Sequence, residues 1–428
     1  MKVRAPQFSG DSGSNDLVQD IWRMWLVAGA FVAVHSFSTF QAIVRILLRG
    51  EEWSGGDFTA FYATAKASYE LGITPYFGGL VQQATGILSA FTSTYPPFTL
   101  LLFVPYICVD ITTAFVIHTF VSMFAAGVYF FYLQKLFLNQ IVGRYIAWIV
   151  VGLVFWSSIP SVENFLRGQT NFIIGALILF SWDQLRQNSR GRAVGLALGL
   201  ATLIKVYFAA LLIPLVFLRR FSVITSAAVI GILALVLSIV FFPKAGWIDW
   251  FDVVLPAGGL GKDVPDAAFA ASRVNHSLNG LLSRSLGNSS LLRTLGYPIV
   301  AAVWIGTAIA LWRARRMEWQ LAVDSCIPLM QVAIFLVSPL SWPANYIFLW
   351  LAILGSMKVR AQIHTLTPPF LAIHLFLLFL FSLPWSGFTF GKYESVIAAP
   401  PTMAAFLLWG LCLQTVEQVN QRFQTTDR

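Results

Sequence analysis

The residues of this chain that could do chemistry are few, and they stand at the edges of long apolar runs. Asp57 follows Gly55 and Gly56, and a Tyr95-Pro96-Pro97 turn comes next. Glu163, Asn164 and Arg167 precede Gln169 and Asn171, and Lys205 separates two short apolar stretches. Asn275, His276, Ser277 and Asn279 form a polar group, and Ser338 through Tyr346 includes Trp342 and Asn345. A carboxylate such as Asp57, with Glu163 to assist or replace it, suits general-base work, which contributes roughly 10²–10⁴-fold in rate. Lys205 and Arg167 are cations able to hold a phosphate and to stabilise the charge that develops as it departs. Glu163, Gln169, Asn171, Asn275, His276, Asn279 and Asn345 can hydrogen-bond sugar hydroxyls, with Tyr95 and Trp342 as aromatic walls. The combined chemistry is glycosyl transfer from a phosphate-linked donor. No metal-ligand spacing occurs, and neither a metal nor a cofactor is expected.

Each of these residues also has an ordinary structural reading. Asp57 can cap a helix N-terminus. Lys205 can snorkel along apolar surface. Glu163 and Arg167, four apart, can form a helix-end ion pair. His276 can be loop polarity, and His118, His364 and His374, alone in or beside apolar runs, read as structural. Gly258, Gly259 and Gly261 before Lys262 match neither a P-loop nor a dinucleotide fingerprint.

The elements that must position these groups follow from composition. Of 428 residues, 57% are hydrophobic and only 11% charged, against about 25% charged in soluble domains. Mean hydropathy is +0.73. Apolar runs near the ~20-residue spanning length imply an all-α, polytopic integral membrane protein. The net charge of +9 is scattered in twos and threes, which excludes a nucleic-acid partner. Three isolated cysteines support no disulfide framework. Spans are predicted near 22–47, 111–134, 145–160, 169–185, 193–204, 206–218, 221–243, 297–312, 321–339, 344–357, 367–384 and 400–416, twelve in all. The stretches 193–204 and 206–218 are too short to cross comfortably and read as a broken pair. The proline-broken 95–110 reads as re-entrant. The first span reads as an uncleaved signal anchor. Residues 1–21 and 417–428 become cytoplasmic tails flanking a membrane domain, 22–416.

Orientation follows the positive-inside rule. The short inner loops then hold twelve basic residues, among them Lys135, Arg186, Arg220, Arg313, Lys358 and Arg360, and the short outer loops only Arg167 and Lys392. Two long outer segments remain, 48–94 and 244–296. In the first, Phe58, Phe61, Tyr62, Ala65 and Tyr69 recur at helical spacing with Thr64, Lys66, Ser68 and Glu70 between them, predicting an amphipathic helix lying in the interface. Trp53, Trp247, Trp250, Trp342 and Trp385 fall near membrane edges. In this topology the chemical residues meet on the outer face. A transporter or lipid flippase would also set polar residues at broken helices, but the two halves show no internal repeat and the polar groups favour one face.

The ordered set Asp57-Phe58, Phe61-Tyr62, Pro75-Tyr76, Tyr95-Pro96-Pro97-Phe98, Gly168-Gln169-Thr170-Asn171, Lys205-Val206-Tyr207, Asn275-His276-Ser277-Leu278-Asn279-Gly280 and Ser338-Pro339-Leu340-Ser341-Trp342 resembles glycosyltransferase family 87, polyprenol-phosphate-mannose-dependent mannosyltransferases of the GT-C membrane class. The resemblance implies a GT-C-type helical bundle in the cell (inner) membrane. It implies an inverting transferase that moves mannose or a similar sugar from a polyprenyl-phosphate donor lipid to a glycolipid or glycan acceptor on the extracytoplasmic side. In such enzymes the Asp opening the first outer loop is the base, which places that role on Asp57. The family often carries a histidine shortly after the Ser-Pro-x-Ser-Trp segment, where this chain reads Pro343-Ala344-Asn345.

Overall fold

The computed structural model describes residues 56–87, 93–139, 155–156, 158–188, 191–263, 270–272, 274–287, 289–382 and 399–426. The predicted span 22–47, most of 145–160, the tail 1–21, Trp53, Trp385 and Lys392 lie outside the described residues. Every regular element among the described residues is a helix. The helices used below are α1 (Gly56–Tyr69), α2 (Ile111–Leu133), α3 (Ile159–Arg167), α4 (Asn171–Arg186), α5 (Arg192–Ile204), α6 (Phe221–Phe241), α7 (Ser290–Ala314), α8 (Trp319–Val337), α9 (Tyr346–Gln362), α10 (Pro368–Leu380) and α11 (Pro400–Thr426).

Four stretches are long and apolar enough to cross a bilayer: α2 with its π-helical extension to Leu138, α6, α7 and α8. Of the twelve predicted spans, four are matched by a helix of sufficient length and hydropathy among the described residues. Helices α4, α5, α9 and α10 have 16, 13, 17 and 13 residues, and at 1.5 Å per residue each falls short of a ~30 Å core. The stretch 206–218 divides into a 3-10 turn, Val206–Leu211, and a short helix, Leu212–Phe217.

The long helices differ in what surrounds them. α6 turns Val229, Ile232, Val236 and Val240 outward and buries mainly Val223, Ala227, Ala234 and Ser238. Large apolar residues facing out over small ones facing in reverse the arrangement of a water-soluble helix and suit a lipid solvent. α8 is buried along nearly its whole length, as a central helix must be. α5 approaches α6 closely because both carry small residues. A Cβ on Gly195 would lie 2.4 Å from the Val223 carbonyl oxygen, and one on Gly199 would lie 3.1 Å from that of Ala227.

The helices run between two chemically different ends. One end gathers basic residues. Lys135 pairs with Asp183 at 2.7 Å, and Arg186 and Lys358 flank Asp324 at 3.0 and 2.9 Å. Arg220 bonds Asn188 and lies 3.7 Å above the Trp319 ring, and Arg313 pairs with Glu417. The opposite end carries Asp57, Gln169, Lys205 and Asn345. α4 and α9 start at that second end and finish at the basic one, and α5 runs the other way.

Several expectations change. α1 is a helix, but it does not lie with one polar face outward: Thr64 and Ser68 are buried along with Phe58, Phe61, Tyr62 and Ala65. Their hydroxyls are satisfied locally, Thr64 donating to the Ala60 carbonyl and Ser68 to that of Ile73, so burial costs little. Lys358 and Arg360, read as loop charges, are buried within α9. Arg360 donates to the Leu411 carbonyl and to Gln414 and Gln418 of α11. α7 begins at Ser290, inside the predicted outer segment 244–296, and α11 runs past 416 to Thr426 with Val419 and Asn420 still buried.

Candidate active site

Asp57 is the second residue of α1. A carboxylate in the first turn of a helix faces the positive end of its dipole, which favours ionisation. Its Oδ2 accepts a hydrogen bond from the Gln169 side-chain amide at 2.6 Å. The next residue, Phe58, anchors the helix from behind. Its ring lies 5.5 Å from Tyr106, 5.6 Å from Phe115 and 4.8 Å, stacked, from His118.

Gln169 reaches Asp57 because of Gly168. α3 ends there with a left-handed residue (φ 63°, ψ 41°), and the Gln169 N–H closes the turn on the Asn164 carbonyl at 2.8 Å. This is the usual glycine stop of a helix. A Cβ at Gly168 would also lie 2.6 Å from the Phe58 Cβ, so α1 rests directly on the turn. His118 holds the same turn by donating from Nε2 to the Gly168 carbonyl at 3.0 Å.

Lys205 follows the last residue of α5 and is 2% exposed. Its ammonium donates to Asn171 Oδ1 at 2.6 Å and to Gln169 Oε1 and Asn345 Oδ1, each at 3.3 Å. The Asn171 amide donates to the Ala344 carbonyl and to Asn345 Oδ1, both at 3.1 Å, and Asn164 adds a bond to the same carbonyl at 2.9 Å. Four separate chain segments thus meet around one ammonium and one carboxylate. Arg167 and Glu163 stand beside them as an ion pair at 2.6 Å, their side chains 28% and 19% exposed. That is the i,i+4 pair expected from spacing alone, yet both charges also act on Asp57.

Desolvation holds the Asp57 carboxyl above the usual carboxylate range. Arg167, the Gln169 hydrogen bond and Lys205 pull it back, and Glu163 pushes it further up. Tyr95 sits close enough to feel the Asp57 charge, with its ring 5.5 Å from Phe61 and its carbonyl accepting from the Tyr76 hydroxyl at 2.7 Å.

The second group of expected residues is engaged differently. Asn275 donates to the Ala270 and Pro339 carbonyls, and its Oδ1 accepts from the Ser277 hydroxyl at 2.8 Å and the Ser341 N–H at 3.0 Å. Asn279 donates to the Pro339 carbonyl and accepts from the Gly261 N–H. The His276 backbone N–H bonds Ser341, its ring bonds the Tyr346 hydroxyl, and its carbonyl takes a bond from Thr402. These contacts fasten the 275–279 segment to the 338–346 turn, whose Pro343–Asn345 piece presents Ala344 and Asn345 to Lys205. Trp342 is half-buried at the start of that piece. Of the expected residues, Asp57, Glu163, Arg167, Gln169, Asn171, Lys205 and Asn345 share one cluster with Tyr95 beside it, and Asn275, His276 and Asn279 brace its wall. Gly168, Asn164 and Ala344 stand among the residues noted in the sequence, but their supporting roles, the left-handed helix stop and the shared bond to the Ala344 carbonyl, were not assigned there. Of these, a glycine closing a polar helix end was the readable sign.

The chain matches the model of glycosyltransferase family 87 over residues 93–339. Asp57 precedes the matched residues and is tied to them through Gln169. No curated protein and no solved structure gave a match. A family match over more than half of the chain, on an all-helical bundle with a polar cluster at one end, makes this chain a member of glycosyltransferase family 87.

Proposed function

We propose that this glycosyltransferase moves mannose, or a similar sugar, from a polyprenyl-phosphate donor lipid to a glycolipid or glycan acceptor, with inversion, on the extracytoplasmic side of the cell membrane. The observation that carries the reading is the single cluster in which a carboxylate, Asp57, stands within one amide of a buried cation and beside a partly exposed one. Asp57 takes the proton of the acceptor hydroxyl as that oxygen attacks the anomeric carbon. The bond from that carbon to the phosphate oxygen breaks, and the leaving polyprenyl phosphate keeps the electron pair. Arg167, the more exposed cation, supplies positive charge to the departing phosphate, with the buried Lys205 behind it. Gln169, Asn171 and Asn345 line the same cluster, and Tyr95 and Trp342 supply aromatic surface for a ring or chain. The extracytoplasmic placement is supported by the opposite end of the bundle, where basic residues gather as on a cytoplasmic face.

The test is transfer in membrane vesicles supplied with polyprenyl-phosphate-mannose and a glycolipid acceptor. Asp57→Asn keeps the hydrogen-bonding shape and removes the base. The expected result is a loss of at least about 10²-fold in turnover with normal accumulation of the protein. Near-normal turnover removes Asp57 from the mechanism. Movement of lipid-linked sugar across the vesicle without any new glycosidic product supports a transporter instead.

A further inference from the structure

An ammonium has three N–H bonds and no acceptor, and an ionised carboxylate has acceptors and no donor. The Gln169 amide lies between one of each, bonding Asp57 with its nitrogen and Lys205 with its oxygen. Only one orientation of the amide satisfies both neighbours. The three donors of Lys205 are matched by three side-chain oxygens, those of Gln169, Asn171 and Asn345, and the side chain is almost fully enclosed. An ammonium so placed has no donor left over for a phosphate unless one of these bonds breaks. Arg167 has the more exposed cationic group of the two.

We propose that Lys205 is a positioning residue for the base rather than a ligand of the donor phosphate: it locks the Gln169 amide so that its N–H₂ faces Asp57 and holds that carboxylate in its ionised form. The inference rests on the reading of Asp57 as the base. The charged and titratable groups facing Asp57 are Glu163 and Arg167 from α3, Lys205 from the end of α5 and Tyr95 from the turn before Pro97, while His118 of α2 stands behind Phe58. Removing Lys205 takes away one positive charge and frees the amide to turn its oxygen toward the carboxylate. Both changes favour the protonated, inactive acid.

The experiment compares the pH profile of transfer and the donor KM for the full-length protein, Lys205→Met and Gln169→Leu in vesicles. The expected result for each variant is an acid limb moved toward alkaline pH by about one unit. Turnover at mildly acidic pH falls while the donor KM stays within about twofold. An increase in donor KM of tenfold or more with an unmoved acid limb overturns the proposal and returns Lys205 to the phosphate. Each variant breaks the same relay, so one that accumulates in the membrane suffices. If neither accumulates while Asp57→Asn does, Lys205 is a folding residue only and the proposal also fails. Retained turnover in Asp57→Asn is a separate outcome that removes the base itself.

Discussion

At the scale of single residues, the behaviour of Asp57 is a contest between desolvation and two cations. Burial wins, and the carboxyl stays above its ordinary range despite Arg167, Gln169 and Lys205. A base works only when deprotonated, so a raised pKa places the inactive, protonated form at higher pH than for a free carboxylate. Transfer is therefore expected to fall on the acid side at a pH above the ~3.9 of an unperturbed aspartate. The pH dependence of kcat/KM in vesicles checks this, and an acid limb at or below the ordinary value contradicts it. Glu163→Gln removes the carboxylate neighbour that raises Asp57 and breaks the pair with Arg167. The acid limb is expected to move to lower pH, read in the same assay.

Elements matter because the cluster is built from their ends. The turn between α3 and α4 carries Gln169 and Asn171, and its geometry depends on Gly168. Gly168→Ala adds a Cβ to a left-handed residue and drives it against Phe58 at 2.6 Å. The expected outcome is a loss of about 1–3 kcal/mol of stability together with loss of transfer, because α1 and Asp57 must move away from Gln169. Thermal unfolding in detergent and turnover, measured on one preparation, check it. At the other ends of α4, α8 and α9, Asp324 is fully buried between Arg186 and Lys358 and accepts from the Trp182 indole at 2.8 Å. Asp324→Ala leaves two cations beside each other without their counter-charge, a change that costs about 3–5 kcal/mol when a buried pair is broken from one side. A large drop in unfolding temperature is expected, with the acid limb of residual transfer unmoved because the site lies at the far end of the helices.

For the whole molecule, polarity between the two ends is the organising feature. Helices α4, α5 and α9 connect the Asp57 cluster to the Arg186, Arg192 and Lys358 end, so the two cannot share a side of the membrane if these helices sit within it. In a Cys108→Ser background, Lys244→Cys follows α6 at the site end and Arg315→Cys follows α7 at the basic end; both positions are exposed. An impermeant maleimide added to intact cells is expected to label position 244 and to reach position 315 only after permeabilisation. The reverse pattern overturns the extracytoplasmic placement of the site. Chain composition already implied a lipid solvent, and α6 gives that solvent a specific face in its outward Val229, Ile232 and Val240.

Much of this protein was legible in its residues alone. The 57% hydrophobic composition, gathered in apolar runs near the ~20-residue spanning length, pointed to membrane helices, since such a run in lipid satisfies its backbone internally as a helix. The spacing of Glu163 and Arg167, the break at Lys205 and the apolar stretches around them determined where helices start, stop and pair locally. Tertiary structure decided the rest. That Asn345 lies beside Lys205, 140 residues away along the chain, and that Gln169 bridges Asp57 to it, are long-range facts. Pattern and propensity carry no information about which distant ends meet. The same limit explains α1, whose alternating polar residues read as a solvated face. Other segments cover that face, and local hydrogen bonds make their burial cheap. Local physics acts over a few residues and is written in the sequence. The meeting of Asp57, Lys205 and Asn345 depends on how helices pack against one another, and only the folded chain contains that.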